Sequence, residues 1–501
     1  MAPSRRNMAA ALLILAASSG SYVLSQPVPD GDPFLVNVWT TNFQDQPRVA
    51  ANGSGGFVIV WESYYQVSPQ SGWDVFARRY DSLAQPLGGE FLVNADTQYS
   101  QGWPSVAAFG SGGFIVAWDQ STPYSRTVLA RTFDSTGAPL GGEISPPTNA
   151  YYSKERPDVA AAPSGASIVT WTWDSGTQKD VFARRIDSNG VPLASEFRVN
   201  SYYRSSQGSP AVTMDTDGSF VVAWSGLHTG EQGYGIWAQR FDSEGSALGG
   251  EIHVNAYSPG RQDLPDIAML PDGAFVVVWR DEDRIGGSAY GAWGRRFDSG
   301  GDPLGGEFQI HTTPLRHGFD SRPRVSSDAG GNFLVVWSGI VAGNNWLSIL
   351  GQSFESSGAR VGGEFELVHG TPSVAGNLAP DVSKAASGEL LAAWSSWDSG
   401  ATTGIWARRF LPLPCSPLPG NVTDLGAAAS ADGVDLLFNW TNAPGADDYV
   451  LFQDPLPGGT FGSAAGVGID GDLGMTLPAP VTTTFYLMAP RNLSCGLGPV
   501  R

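Results

Sequence analysis

The sequence predicts an all-β protein: a seven-bladed β-propeller with four-stranded blades, closed by an N-terminal strand, followed by a small C-terminal β-sandwich. Three observations predict it. A unit of 53 to 58 residues recurs seven times along the 501-residue chain. Each unit holds four short segments rich in Val, Ile, Phe and Trp and bounded by Gly, Asp, Ser or Pro, the pattern of strands joined by tight turns. Gly (64) and Pro (35) make up about a fifth of the residues, and no stretch carries sustained helical spacing of apolar residues. A single four-stranded blade cannot bury both of its faces, so such units stack radially into a ring.

The first segment of each unit opens on Pro and a β-branched residue two positions later, as in "PRVAA" at Pro47, "PSVAA" at Pro104 and "PDVAA" at Pro157. The second ends in Trp, as in "FVIVW" and "FVVVW". These residues are Trp61, Trp118, Trp171, Trp224, Trp279, Trp337 and Trp394, at intervals of 57, 53, 53, 55, 58 and 57. They read as core anchors. The third segment is "VFARRYD" and its relatives, and the fourth is "GGEFLVN". Between them "DSxG" supplies the turn, with Asp capping it and Gly taking a positive φ. The copies run Asp134–Gly137, Asp187–Gly190, Asp242–Gly245 and Asp298–Gly301. The copy at Asp81 reads "DSLA" and lacks the glycine.

The seventh unit ends at Phe410 without a fourth segment. "GDPFLVNVWT" (Gly31 to Thr40) matches "GGEFLVNADT" (Gly88 to Thr97), so the N-terminal strand is expected to complete the last blade and remove an open edge. The residue after each first-segment Pro is expected near the central channel. Around the ring it reads Arg48, Ser105, Asp158, Ala211, Asp266, Arg324 and Asp381. Alternating signs on blades five, six, seven and one predict inter-blade ion pairs.

The ends of the chain carry other signals. Arg5 and Arg6 before "MAAALLILAA" read as an export signal over residues 1–25 rather than an anchor, because Ser and Gly dilute the segment after Ala17. The propeller is assigned to 31–410, a Pro-rich linker to 411–414 and the sandwich to 415–501. Cys415 and Cys495 bracket the sandwich, and in an exported chain they are expected to form a disulfide. The expected location is secreted or at the cell surface, with no membrane insertion once the signal is removed.

The net charge is −19 and no basic stripe is visible, which argues against nucleic acid as a partner. The five histidines show no metal-ligand spacing, and no phosphate loop, G-x-S-x-G elbow or Cys nucleophile is present. No cofactor and no metal site is expected. Asp281 and Asp283 offer oxygen ligands for calcium as a lesser alternative. Acidic residues after second strands (Asp119, Asp174, Asp281, Asp283 and Asp398) could supply a glycosidase carboxylate pair, whose separation sequence alone does not give.

The unit "P-x-V-A … G-F-V-V-x-W … F-A-R-R-F-D-S-x-G … G-G-E-F-x-V-N" resembles the propeller repeats of secreted bacterial proteins of mostly unassigned role, over roughly residues 33 to 410. That resemblance implies fold and extracellular setting, not chemistry. The sialidase Asp box also sits between third and fourth strands, but here the order is D-S-x-G and no T-W follows. In the C-terminal region "VDLLFNW", "DDYVLFQ" and "TTTFYLMAPRN" resemble strands of a fibronectin type III-like or immunoglobulin-like sandwich.

With four strands per blade, the first-to-second and third-to-fourth turns share one face, and these are monotonous. The other face varies in length and carries aromatic residues. Trp73, Trp103, Trp346 and Trp397, with Tyr64, Tyr65, Tyr152, Tyr203, Tyr234 and Tyr290, are therefore the candidate ligand-binding residues, all read as lying in variable loops with Trp39 and Trp173. The expected function is non-enzymatic recognition or scaffolding, with an extracellular glycan or protein as partner. The alternatives are a carbohydrate-active enzyme using loop carboxylates and a purely structural surface component.

Overall fold

A computed structural model describes residues 27, 29–68, 70–148, 151–228, 233–282, 284, 290–312, 322–340, 347–368, 379–385, 388–397 and 402–411, together with seven C-terminal strands. The expected signal segment, the linker beyond Leu411 and both cysteines lie outside the described residues, as do the side chains of the C-terminal strands.

Residues 29–410 form seven antiparallel blades, each numbered from its first strand at the centre. Blade one comprises Gln44–Ala51, Phe57–Tyr64, Trp73–Tyr80 and Phe91–Leu92. The second strands, such as Phe57–Tyr64 and Phe275–Glu282, are buried on both faces because a neighbouring blade covers each side. The fourth strands, such as Ala247–His253, are exposed along much of their length, as an outer edge must be. Blade two departs from the plan. Its fourth strand shrinks to two isolated bridges, Phe133 to Pro139 and Ala130 to Ile144, the latter just before Pro146 and Pro147, which have no N–H to continue a ladder.

The core is seven clusters, each shared by two adjacent blades. One joins Val58, Val60 and Val75 of blade one to Val116, Trp118 and Phe133 of blade two. Another joins Ile59 and Trp61 of blade one to Leu391, Ala393 and Ile405 of blade seven. Trp61, Trp118, Trp224, Trp279 and Trp337 have no exposed surface, and Trp171 and Trp394 expose 1% and 3%. They are the anchors the repeat predicts.

The ring closes as expected. Pro29–Leu35 pairs antiparallel with Thr403–Phe410, from Pro29 opposite Phe410 to Leu35 opposite Trp406. Val36 then adds its N–H to the Ile405 carbonyl at 2.7 Å and is fully buried in the seam between blades seven and one.

The repeated polar letters are clamps between blades. The Glu of "GGE" reaches back to the loop that leaves the preceding blade. Glu90 accepts the N–H groups of Val38 and Trp39 at 2.5 and 3.1 Å, Glu143 that of Ala95, Glu251 that of Tyr202, and Glu307 those of Ala256 and Tyr257. The first Arg of "RR" also reaches back, from Arg78 to the Val36 carbonyl at 2.8 Å, Arg131 to Val93 at 3.1 Å and Arg295 to Val254 at 2.9 Å. The second Arg reaches forward to a "DSxG" carbonyl: Arg79 to Thr136, Arg240 to Gly300 and Arg296 to Ser357. Each turn is capped by its own Asp, as where Asp134 Oδ1 accepts the N–H groups of Thr136 and Ala138. Gly137, Gly190, Gly245 and Gly301 have φ of 83–89°, and in the "DSLA" copy Ala84 takes φ 60° instead.

The C-terminal strands form two sheets. Gly426–Ala429, Asp435–Asn439 and Gly474–Pro478 pair in that order. The other sheet runs Ser463–Gly468, Asp448–Asp454, Phe485–Asn492, Gly496–Leu497. Among the described residues no helix is long and apolar enough to cross a membrane.

Candidate functional site

The first strands line the central channel, and those of blades one to five carry a kink. In blades one to five the pairing register between first and second strands slips at the residue before the conserved Pro. Those residues are Gln46, Trp103, Arg156, Ser209 and Leu264, with φ between 51° and 54°. A left-handed backbone at a non-glycine residue costs about 1–3 kcal/mol and marks a bulge that re-aims a side chain. All five, with Arg322 and Ala379 at the same position of blades six and seven, line two adjoining depressions at the channel mouth, about 400 and 360 Å³ and open to solvent. The mouth opens on the variable face, because first strands start and second strands end there.

The bulge is fixed from the neighbouring blade. In blades one to three the residue after the anchor Trp accepts the N–H of the next blade's kinked residue. Glu62 Oε2 takes that of Trp103 at 3.0 Å and Thr172 Oγ1 that of Ser209 at 3.0 Å; Asp119 takes that of Arg156. Burial pushes the Glu62 carboxyl up to about 8 against the Trp103 hydrogen bond, with Asp45 and Asp119 adding repulsion. Burial also pushes Asp119 up to about 7, opposed by the Arg126 guanidinium.

Two tiers of charge surround the mouth. In the upper tier Arg156 lies 5.4 Å and Arg322 5.9 Å from the Trp103 ring. Arg156 Nη1 donates to Ser209 Oγ at 3.1 Å. In the tier below, the predicted ion pairs form: Arg48 to Asp381 at 3.5 Å, Arg324 to Asp266 at 3.4 Å and Arg324 to Asp381 at 3.8 Å. The aspartates also tie blades together through backbone N–H groups, Asp158 to Val212, Asp266 to Val325 and Asp381 to Val49, at 2.7 to 2.8 Å. Burial raises all three carboxyls.

The aromatic residues singled out from the sequence do not form one site. Trp103 stands at the mouth. Tyr64, Tyr65 and Trp73 form a separate stack on blade one, with Tyr64 3.8 Å from Tyr65 and 4.9 Å from Trp73. Tyr152 packs edge-on against Trp173 at 5.0 Å on blade three. Tyr203 lies under Arg198 at 4.8 Å and Tyr234 under Arg261 at 5.2 Å. Trp346 and the side chains of Trp397 and Tyr290 lie outside the described residues. The assignment of these residues to loops needs correction. Trp73 and Tyr290 begin third strands, Trp103 sits within a first strand, Trp397 and Tyr64 end second strands, and Trp173 is the last residue but one of another. The strands run past the anchor Trp because their partners stay paired beyond it.

The loop carboxylates are likewise dispersed. Asp119 is buried within its strand. Asp174 pairs with Lys179 at 2.9 Å. Asp281 is buried and pushed up to about 7 by that burial, with Gln262 at 3.4 Å and Arg284 at 3.9 Å. A guanidinium beside Asp281 disfavours a cation there. Asp283 and Asp398 lie outside the described residues. Among the described residues no group of three metal-ligand side chains occurs. His311 is buried where other blades carry the Asn of "VN".

The sequence matches no protein-family model and no curated protein. Solved structures do match. A protein of unknown function from Dyadobacter fermentans is 11% identical, covering 77% of this chain and 98% of its own, with a TM-score of 0.45. A family 93 α-L-arabinofuranosidase of Fusarium graminearum is 10% identical over 61% of this chain and 92% of its own, with a TM-score of 0.42. A family 25 ulvan lyase is 10% identical over 78% of this chain and 96% of its own, with a TM-score of 0.47. The chain is a seven-bladed propeller with structural neighbours among glycoside hydrolases and polysaccharide lyases, and no residue role carries across at these similarities.

Proposed function

We propose that this protein is an exported recognition propeller that binds an extracellular carbohydrate at the mouth of its central channel. One observation carries the reading. The clamp positions repeat from blade to blade, whereas the seven mouth positions read Gln46, Trp103, Arg156, Ser209, Leu264, Arg322 and Ala379. A position held in a strained conformation yet varied in chemistry suits a ligand better than it suits the scaffold. A Trp face among guanidinium and hydroxyl donors matches a sugar ring, which offers an apolar face and a polar rim. The C-terminal strands are proposed as a fibronectin type III-like accessory domain closed by Cys415 and Cys495.

A second reading is enzymatic. Glu62 and Asp119, pushed up to about 8 and about 7, stand directly behind Trp103 and Arg156, and a carboxyl protonated near neutral pH is what a general acid requires. A glycan array with parallel assays for released reducing ends and unsaturated products separates the readings. Binding without turnover supports recognition, and turnover lost in Glu62→Gln supports the enzyme. Neither binding nor turnover would refute both.

A further inference from the structure

The arginines of this chain serve two ends. Arg78, Arg131, Arg240 and Arg295 reach backbone carbonyls of neighbouring blades and hold the ring together. Four others converge on the channel mouth of a protein with net charge −19. Gathering like charges is unfavourable unless something offsets them, and the fold brings them together from three blades, Arg48 from blade one, Arg156 from blade three, and Arg322 and Arg324 from blade six. Arg156 forms no ion pair among the described residues; its one side-chain hydrogen bond is to a neutral hydroxyl, Ser209 Oγ at 3.1 Å. The lower tier holds Arg48 and Arg324 against Asp158, Asp266 and Asp381, whose carboxyls burial raises.

We infer that Arg156, Arg322, Arg48 and Arg324, grouped around Trp103, form a subsite for the anionic group of an acidic sugar, a carboxylate or a sulfate. The inference rests on the carbohydrate reading above and narrows its ligand class. A planar guanidinium presents paired N–H donors that match either oxyanion bidentately, and Arg156 and Arg322 near one indole are positioned to do so while the ring takes a sugar face. Trp103 and Arg156 are further fixed through their backbone N–H groups by Glu62 and Asp119, so little order is lost on binding.

The test is calorimetric titration of the whole protein with three tetrasaccharides: a galacturonate, a sulfated galactan and the unsubstituted galactan. Charge-assisted hydrogen bonds contribute about 1.5–3 kcal/mol each, so at least one acidic oligomer is expected to bind about tenfold or more tighter than galactan. The preferred oligomer distinguishes carboxylate from sulfate. Arg156→Gln with Arg322→Gln should erase that preference, weakening the acidic oligomer about tenfold or more beyond any change in galactan affinity. Arg240→Gln, a turn clamp on the opposite face, should leave the preference unchanged, and thermal unfolding of each variant checks that it folds. Equal affinity for all three oligomers, or a preference that survives in a folded double variant, overturns the inference while the carbohydrate reading stands. No binding of any oligomer overturns both.

Discussion

Replacing Glu62 by Gln should flatten the pH dependence of stability. The ordinary Glu value is 4.5, and burial beside Asp45 and Asp119 raises Glu62 to about 8. Between those values the unfolded chain has lost this proton and the folded chain keeps it. The folded state therefore binds more protons there, and stability falls as pH rises from about 4.5 through about 8. At about 1.4 kcal/mol per pH unit the full effect is about 5 kcal/mol, and water at the channel mouth relaxes it to about 2–5 kcal/mol. Gln keeps an oxygen for the Trp103 N–H, now 3.0 Å from Glu62 Oε2, and removes the titration. Asp119 and Asp281 titrate in the same window, so the difference between wild type and variant isolates Glu62. Urea unfolding at fixed pH from 5 to 9 gives both curves. The wild type should lose stability toward pH 9 and the variant should lose about 2–5 kcal/mol less. Parallel curves, within about 0.5 kcal/mol, would refute the account of Glu62 as a desolvated carboxyl under the bulge.

Asp381→Ala should cost about 3–5 kcal/mol in urea unfolding, because it strips Arg48 and the Val49 N–H of their partner at the closing seam. A loss below about 1 kcal/mol would show that this ion pair does not hold the seam. Ala84→Gly should raise stability by about 1 kcal/mol, since Ala84 holds φ 60° where other copies carry Gly; a destabilised variant would contradict that reading. Titration of the exported, denatured protein should find no free thiol at Cys415 or Cys495, and two free thiols would exclude the bridge.

The ring was legible because its parts repeat. Seven Trp at near-constant spacing, and a strand sequence displaced to the N-terminus, specify blades and closure through burial and edge pairing alone. The ion pairs at Asp266, Arg324, Asp381 and Arg48 were legible from one column of the repeat, because strand parity puts that column on the channel. The neighbouring column was missed. Trp103 and Arg156 precede prolines, a setting that disfavours helical backbone and gives no sign of a left-handed kink. The available signal was variation itself: letters that differ from blade to blade just before an unvarying Pro. The clamps were hidden in another way. "RR" and the Glu of "GGE" recur visibly, but their partners are backbone atoms of adjacent blades, which carry no sequence signature. The described aromatic residues do not share one site, because second-to-third connections leave the sheet away from the channel while first strands line it.

The most direct test compares two tryptophans that the sequence ranks alike and the structure separates. Trp103 lines the channel mouth, and Trp73 packs against Tyr64 on blade one. Affinity for the best-bound tetrasaccharide should be measured by calorimetry for wild type, Trp103→Ala and Trp73→Ala, each shown to fold. Losing one aromatic stacking partner removes about 1–3 kcal/mol, so Trp103→Ala should weaken binding by about tenfold or more and Trp73→Ala by less than about twofold. Weakened binding in Trp73→Ala with unchanged affinity in Trp103→Ala would place recognition on the outer loops and contradict a site at the channel mouth.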